Sequence, residues 1–371
     1  MTQSLRRAAG CAMVVGISGV ELTGLERAWL KLTRPAGVIL FRRNIEDAAQ
    51  TRALLAQATE VCAPHSLRCV DVEGGTVDRL RDALTPMPSA QAVFAAAQAT
   101  NKPTLSREHG ELVARGVKAF GFNTTLAPVL DLALSASASV MGTRAVSDDP
   151  KMVAAYCGQF LAGLAAHKIA GCGKHFPGLG GGTLDSHLET PSIDRTMREL
   201  ANDDLYPYCE LRDQLPMIMV NHAAYPRTPG GERPASVSTY WVTTILRKRI
   251  GYRGLIFSDD LEMGGVLKFL PIEGAAIEAI HAGMDLIEIC HSPELILRAY
   301  EALVAEAERS TAFRTLLMKR SRQSARLRAQ HFSRPTPPAL KAREFTALQN
   351  QIRRFADTVS AHQPKSEAGS K

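Results

Sequence analysis

The sequence lacks three patterns that would assign it to common classes of protein. No stretch approaches the ~18 consecutive apolar residues of a membrane-spanning helix, so we expect no membrane segment. The first apolar run is not followed by G-x-G-x-x-G, which weakens the case for a dinucleotide-binding fold. None of the seven cysteines belongs to a C-x-x-C pair, and several occur in apolar runs. Cysteine in such runs is typical of a small buried hydrophobe, which favours free thiols in a reducing compartment.

The N-terminus imitates a secretion signal without having its order. Arg6 and Arg7 precede an apolar run, and Ala9-Gly10-Cys11 resembles a lipoprotein cleavage site. However, the apolar run follows the cysteine and is only about seven residues long, whereas a signal peptide has its apolar region before the cleavage site. We therefore interpret residues 11–15 as a first buried strand and expect a soluble, cytoplasmic protein.

Acidic residues are scarce in the C-terminal part of the chain. Residues 309–371 contain 14 Lys and Arg but 3 Asp and Glu, a net charge of +11, whereas the other residues sum to −4. A basic end of this kind is typical of a solvated helix face more often than of a nucleic-acid or membrane arm. We predict a catalytic domain over residues 1–333 and a basic tail over 334–371. Residues 360–371 are polar enough to be disordered.

Short apolar runs alternate with helical patterns along the first 332 residues. The eight predicted strands are residues 11–15, 37–41, 68–71, 125–132, 171–175, 217–221, 254–258 and 285–289. Helical spacing occurs between them, and residues 295–332 are interpreted as terminal helices. Continuous apolar strands that alternate with helices indicate a parallel sheet covered on both faces. Eight such units favour an α/β fold, a closed (β/α)8 TIM-like barrel.

Polar residues follow five of the predicted strands, where a barrel of this kind has its active site. Asp71 ends the third strand, with Arg79 eight positions later, and the fourth strand ends near Asp131 and leads to Arg144. The fifth strand ends in Lys174-His175, the sixth in Asn221-His222 and the seventh in Ser258-Asp259-Asp260. Packing does not explain a carboxylate at the end of an apolar strand. The pattern therefore predicts one site on this rim.

The segment KHFPGLGGGTLDSH, residues 174–187, admits three chemical interpretations. A phosphate cradle requires G-K-[ST] leading into a helix, which is missing here. A metal site could use His175, Asp185, His187, His222 and Asp259, but the first strand lacks the His-x-His of metal-dependent barrel hydrolases. The acid/base interpretation explains the spacing best, because residues i and i+2 of an extended segment project to one side. Asp185 would then orient His187 and raise its pKa, producing a proton donor.

Five motifs, taken together, resemble glycoside hydrolase family 3. They are V-D-V-E-G-G-T-V-D-R (70–79), M-G-T-R (141–144), K-H-F-P-G (174–178), L-D-S-H (184–187) and F-S-D-D-L-E-M (257–263). The set is similar to that of the family's bacterial β-N-acetylglucosaminidases, cytoplasmic enzymes of cell-wall recycling. The resemblance covers about residues 10–330. It implies one barrel domain and a retaining, double-displacement mechanism without metal or cofactor.

The resemblance also implies roles for individual residues. Asp259 resembles the nucleophile, and His187, paired with Asp185, resembles the general acid/base. The contacts to N-acetylglucosamine are implied for Asp71, Arg79, Arg144, Lys174 and His175. The remaining polar residues of the rim are expected to be structural: His222, Asp131 and Glu73, the last bracing the loop after the third strand.

The glycine-rich loop departs from the family pattern. Leu179, Gly181 and Gly182 stand where the family commonly has His, Asp and Thr. The pair Asp185-x-His187 is intact, so catalysis is still expected, with loop order and preference beyond the first sugar left open. Other hypotheses are a family 3 phosphorylase or a broader β-glycosidase, a non-catalytic sugar-binding module and a metal-dependent hydrolase. Phosphate dependence would identify the phosphorylase, and a chelator would identify the metal enzyme.

Overall fold

Eight parallel strands close into a barrel in the computed structural model, which describes residues 2–182 and 190–362. The barrel strands are β1 (Met13–Gly16), β2 (Gly37–Leu40), β3 (Leu67–Val70), β6 (Thr124–Thr125), β7 (Ala170–Phe176), β8 (Met217–Val220), β9 (Leu255–Asp260) and β10 (Leu286–Ile289). They pair in the order β1-β10-β9-β8-β7-β6-β3-β2. A small antiparallel hairpin, β4 (Val72–Gly74) with β5 (Val77–Asp78), follows β3. The predicted α/β barrel is confirmed.

Helices surround the barrel, and along the chain they also precede its first strand and follow its last. In chain order they are α1 (Thr2–Gly10), α2 (Gly24–Thr33), α3 (Ala48–Glu60), α4 (Ala90–Thr100), α5 (Thr104–Ala119), α6 (Ala138–Met141), α7 (Pro150–Ala166), α8 (Met197–Asn202), α9 (Tyr206–Leu211), α10 (Gly264–Leu267), α11 (Ile272–Ala282), α12 (Pro293–Arg309), α13 (Thr311–Phe332) and α14 (Ala342–Ser360). A π-helix covers Tyr240–Arg249. No helix in the described ranges is long and apolar enough to cross a membrane.

The barrel strands face two different apolar layers. The side chains that fill the barrel interior form one buried cluster, which includes Val14, Ile39, Cys69, Met217 and Leu286. Neighbouring residues on the same strands, such as Val15 and Ile287, belong to the larger core beneath the helices. This alternation follows from the two-residue period of a strand and explains why the strands are continuously apolar.

Helix α13 closes the barrel at the start of the strands. Its Leu327 and Phe332 belong to the same interior cluster as Leu67, the first residue of β3. Arg328, fully buried between them, donates to the backbone oxygen of Pro64. Helix α13 thereby covers the amino ends of the strands, and the cavity described below opens at the opposite, carboxyl ends.

The predicted fourth strand is shorter than its sequence pattern suggests. We expected a strand over residues 125–132, but regular pairing stops after Thr125. Pro128 has no N–H to donate and restricts the residue before it, which interrupts the ladder. The following backbone still runs beside β7, where Leu130 N donates to Lys174 O at 2.6 Å. This irregular segment carries Asp131 to the rim of the barrel.

The seven cysteines are all free thiols, as their positions in apolar runs indicated. Cys69, Cys172 and Cys290 lie in the barrel interior. Burial raises the pKa of each of these thiols, so they remain protonated and pack as small hydrophobes.

The C-terminal segment differs from the solvated tail that we expected. Residues 342–360 form the amphipathic helix α14, whose apolar side chains Leu348, Ile352, Phe355 and Val359 are buried. Phe355 stacks on His109 of α5 with ring centroids 6.0 Å apart, and Gln349 donates to Leu84 O at 2.6 Å. The expectation of a solvated segment is wrong for this helix, because its charges lie on one face only. The predicted boundary at residue 333 stays a prediction, and residues 363–371 lie outside the described part.

Helix α14 should therefore contribute to the stability of the barrel. We expect Phe355→Ala to lower the free energy of unfolding by about 3–5 kcal/mol, since it removes a buried ring and leaves a cavity. The matched control is Arg354→Ala, one position away on the exposed face, which should change it by less than about 0.5 kcal/mol. Urea denaturation measures both. Equal stability of the two variants would show that α14 does not pack on the barrel.

Candidate active site

A cavity of about 780 Å³ opens at the carboxyl ends of the barrel strands. Six of the residues predicted for the site line it: Asp71, Arg79, Arg144, Lys174, His175 and Asp259. They come from strands or following loops that are far apart in sequence, and closure of the barrel brings them together. The other two predicted residues, Asp185 and His187, lie outside the described residues.

The buried ammonium group of Lys174 bridges two carboxylates. Its Nζ atom lies 2.9 Å from Asp71 Oδ1 and 2.6 Å from Glu73 Oε1. Lys174 lies near the end of strand β7 and lines the cavity, and the turn from β3 into the β4–β5 hairpin brings the two acids to it. The interaction therefore ties the third and fifth barrel strands together at the rim.

Glu73 is also the anchor of Arg144. The guanidinium of Arg144 donates through Nε to Glu73 Oε2 at 2.8 Å and through Nη2 to Glu73 Oε1 at 2.9 Å. Such a two-point pair fixes both the position and the plane of the guanidinium. Glu73 thus braces the loop after the third strand, as the sequence suggested, and positions Arg144 at the cavity wall. The second carboxylate bound by Lys174, that of Asp71, also lies near an arginine: Arg79 Nη2 is 3.7 Å from Asp71 Oδ2.

Charge pairing outweighs burial in this cluster. Burial alone would raise the pKa of Glu73, but Arg144 and Lys174 hold it well below its ordinary value. Burial would lower the pKa of Lys174, but Asp71 and Glu73 raise it above its ordinary value. The Lys174 ammonium and the Glu73 carboxylate therefore both stay charged at neutral pH, which gives the cavity fixed hydrogen-bond donors and acceptors.

His175 is oriented by Asp131. Its Nδ1 atom lies 2.6 Å from Asp131 Oδ2, and its backbone N donates to the same oxygen at 3.1 Å. Arg144 Nη2 lies 3.3 Å from the other ring nitrogen, Nε2. Because arginine can only donate, Nε2 must accept and Nδ1 must carry the proton that binds Asp131. Asp131 also accepts from Leu179 N at 2.7 Å, so it holds the beginning of the glycine-rich loop.

Asp259 is the ionised carboxylate of the seventh barrel strand. Burial opposes its ionisation, but His175, His222, the backbone N–H of Asp260 and Lys174 together hold the pKa of Asp259 below its ordinary value. That N–H donates to Asp259 Oδ1 at 2.9 Å. The side chain is only partly buried, so it can reach a molecule in the cavity. A carboxylate in this state can act as a nucleophile at neutral pH.

The neighbouring Asp260 has a much higher pKa than Asp259. Burial raises the pKa of Asp260 to about 7, and the charges of Glu262 and Asp259 add to the effect. The imidazole of His222 lies beside the backbone of Asp260, with Nε2 2.9 Å from Asp260 O and Nδ1 2.7 Å from Ser236 Oγ. His222 is therefore held between two structural partners, which agrees with the role expected for it.

Asp260, Glu262 and His291 form a group that could hold a cation, with atoms within 4.8 Å of one another. Hydrogen bonds explain the position of Glu262 without an ion. Its carboxylate accepts from the backbone N–H groups of Cys290 at 2.9 Å, of His291 and of Ser292 at 2.7 Å. These groups precede helix α12, so Glu262 connects the seventh strand's loop to that helix.

Sequence reasoning missed several residues that line the cavity, among them Phe41, Arg43 and Glu288. Phe41 packs near two guanidiniums, with Arg43 Cζ 4.7 Å and Arg79 Cζ 5.7 Å from its ring centroid. Glu288 of β10 lines the cavity as well. A lone acid inside the apolar run L-I-E-I-C was a signal for Glu288, whereas nothing in the sequence marked Phe41 or Arg43.

The charged cluster should be required for the stability of the fold. We expect Glu73→Gln to lower the free energy of unfolding by about 3–5 kcal/mol at neutral pH, since it leaves Lys174 and Arg144 short of a buried negative charge. The control is Glu294→Gln in the exposed pair with Arg298, which should change it by less than about 0.5 kcal/mol.

The pH dependence of unfolding gives a second measurement of the same change. Because the folded pKa of Glu73 is lower than the unfolded value of ~4.3, its stabilising effect is present above that pH and is lost as the pH falls towards the folded pKa. Wild-type protein should lose stability more steeply than Glu73→Gln below about pH 4.3. Parallel curves would contradict the pairing.

Comparison with known proteins identifies the family. Residues 13–323 match the model of the glycosyl hydrolase family 3 N-terminal domain. A β-hexosaminidase of Chromobacterium violaceum is 35% identical over 347 residues, which cover 93% of this chain and 94% of that protein.

Two solved structures have the same fold. NagZ from Neisseria gonorrhoeae, in complex with N-trifluoroacetyl-D-glucosamine, is 29% identical with a TM-score of 0.78, over 93% of this chain and 98% of that one. A family 3 β-N-acetylglucosaminidase from Paenibacillus sp. str. FPU-7 is 28% identical with a TM-score of 0.84, over 95% of this chain and 68% of that one. The chain belongs to glycosyl hydrolase family 3 and is a glycosidase.

Proposed function

We propose that this protein is a retaining exo-β-N-acetylglucosaminidase. It removes the terminal, non-reducing β-linked N-acetylglucosamine from fragments derived from peptidoglycan. The observation that carries the proposal is Asp259, an ionised carboxylate at a cavity whose wall also holds Lys174 and Arg144. The similar proteins support the choice of sugar. They are a β-hexosaminidase, a β-N-acetylglucosaminidase and NagZ in complex with N-trifluoroacetyl-D-glucosamine.

The charged cluster provides the groups that a sugar requires. Asp71 accepts hydrogen bonds from sugar hydroxyls, while Lys174 and Arg144 donate to hydroxyl or amide oxygens. His175, with its proton directed to Asp131, turns its other nitrogen towards Arg144 and the cavity. Arg79 borders the same space. Since Glu73 and Asp131 fix these side chains before a sugar arrives, little further ordering is needed on binding.

Asp259 and His187 both take part in each of the two steps of the reaction. A carboxylate oxygen of Asp259 attacks the anomeric carbon, and the bond to the leaving oxygen breaks as His187 gives that oxygen its proton. Water then attacks the anomeric carbon, gives a proton to His187 and displaces Asp259. A His-Asp pair in place of the second carboxylate removes the repulsion that two neighbouring acids would exert on each other's ionisation.

The proposed setting is the cytoplasm, with cell-wall fragments as the substrate and no nucleic acid or membrane as a partner. The free, buried thiols of the barrel are consistent with a reducing compartment. No cofactor or metal is assigned to the reaction, because the steps require only the carboxylate of Asp259 and the imidazole of His187.

Replacement of the nucleophile tests the proposal directly. We expect Asp259→Asn to lower kcat for an aryl β-N-acetylglucosaminide roughly a thousandfold or more, because the amide cannot form the glycosyl-enzyme. The control is Asp260→Asn, the adjacent acid, which should lose far less activity. If folded Asp259→Asn keeps nearly normal activity while Asp260→Asn does not, the nucleophile is Asp260.

His187 should be needed most when the leaving group is poor. We expect His187→Ala to slow the hydrolysis of natural-type sugar fragments much more than that of nitrophenyl glycosides, whose leaving group departs without a proton. Asp185→Ala should have the same effect more weakly. In pH profiles of kcat/KM for natural-type fragments, the basic limb should disappear in His187→Ala, while the acidic limb of Asp259 remains below pH ~3.9.

Equal loss on both classes of substrate, with the basic limb unchanged, would place the proton donor elsewhere.

A phosphorylase is the alternative function within the family, and the glycoside assay with and without inorganic phosphate distinguishes it from a hydrolase. Turnover that rises with inorganic phosphate and releases a sugar phosphate would identify phosphate, instead of water, as the acceptor.

A further inference from the structure

Strand β10 places an acidic residue inside the barrel. Leu286 and Cys290, two positions before and after Glu288, belong to the apolar cluster of the interior. Ile287 and Ile289 belong to the outer core beneath the helices. Because alternate residues of a strand share a face, Glu288 faces inward. Its side chain is 2% exposed.

The carboxyl group of Glu288 borders the sugar cavity and is incompletely bonded. Glu288 lines the cavity together with Asp71, Lys174 and Asp259. Its Oε1 atom is buried and has no hydrogen-bond partner among the described residues. A buried polar atom without a partner destabilises a folded protein, whereas an apolar side chain would continue the interior layer without this penalty. A ligand group that bonds to the carboxyl would account for its presence.

The surroundings of this carboxyl group favour its neutral form. Burial raises the pKa of Glu288 well above its ordinary value, and the carboxylates of Asp260, Asp71 and Asp259 raise it further. Lys174 opposes the effect, but its ammonium is already bound by Asp71 and Glu73. A neutral carboxyl group both donates and accepts hydrogen bonds, as does a sugar hydroxyl. A charged group, in contrast, acts as a donor only, as an ammonium does, or as an acceptor only, as a carboxylate does.

We propose that Glu288 is a substrate-binding residue, whose carboxyl group forms a hydrogen bond with a hydroxyl group of the sugar in the cavity. This inference rests on the proposed function, since it takes the cavity to be the N-acetylglucosamine site. It adds a contact from the eighth barrel strand to those predicted on the third, fourth, fifth and seventh. The sugar would then be held from both sides of Asp259.

Two variants of equal length separate hydrogen bonding from packing. Glu288→Met keeps the length of the side chain but cannot form the hydrogen bond, so kcat/KM should fall about 10- to 100-fold. Glu288→Gln keeps a donor and an acceptor and should stay within about threefold of wild type. Glu288→Met should be at least as stable as wild type in thermal unfolding, because it removes the unpaired buried atom. Glu288→Leu replaces Glu288→Met if the latter does not fold.

Substrates that lack one hydroxyl identify the partner of Glu288. Wild-type enzyme and Glu288→Met are compared on nitrophenyl β-N-acetylglucosaminide and on its 3-, 4- and 6-deoxy analogues. For the hydroxyl that Glu288 binds, wild type should lose 10- to 100-fold on the deoxy analogue, whereas Glu288→Met should lose almost nothing further. Equal losses in both enzymes for every analogue would overturn the proposal.

The wild-type control tests the proposed function independently. If wild-type enzyme does not cleave the parent glycoside, the proposed function itself is wrong. If it does, and Glu288→Met retains wild-type kcat/KM or loses as much as Glu288→Gln, the function stands and the role of Glu288 is rejected.

Discussion

The Lys174 ammonium between the carboxylates of Asp71 and Glu73 is the interaction on which the site depends. Those three side chains are nearly inaccessible to solvent, and each would be unfavourable there without the others. The cluster fixes Arg144 through Glu73, and Arg144 in turn approaches His175. The barrel supplies the strand ends, and the cluster converts them into a cavity with polar groups in set positions. The same contacts therefore determine local stability and, in the proposed function, the binding of a polar sugar.

Three carboxyl groups around the cavity differ in pKa because their neighbours differ. Asp259 faces two histidines and a lysine and has a lowered pKa. Asp260, one residue later, faces acids in a buried position and has a pKa of about 7. Burial raises the pKa of Glu288 well above its ordinary value, and Asp260, Asp71 and Asp259 add to the effect. One site can therefore contain a carboxylate that is ionised at neutral pH and a carboxyl group whose ionisation is disfavoured. The roles proposed for Asp259 and Glu288 rest on these environments.

The barrel and six residues of the cavity wall could be predicted from the sequence, because both depend on local patterns. Apolar runs marked the strands, and polar residues at their ends marked the rim, including Asp71, Lys174 and Asp259. The sequence could not predict that Glu73 would bind both Lys174 and Arg144, because that pairing needs the β4–β5 hairpin. It also misjudged α14, where abundant charge concealed a buried face. The prediction for Asp185 and His187 rests on the L-D-S-H motif, since both lie outside the described residues.

The central claim is that Asp259 becomes covalently bonded to the sugar, and trapping of that intermediate tests it most directly. A 5-fluoro N-acetylglucosaminyl fluoride slows both steps, and its fluoride leaving group still permits the first, so the glycosyl-enzyme should accumulate. Mass spectrometry of the intact protein should show one added sugar, and peptide analysis should locate it on Asp259. Hydrolysis without any adduct, or an adduct on another residue, would contradict the account.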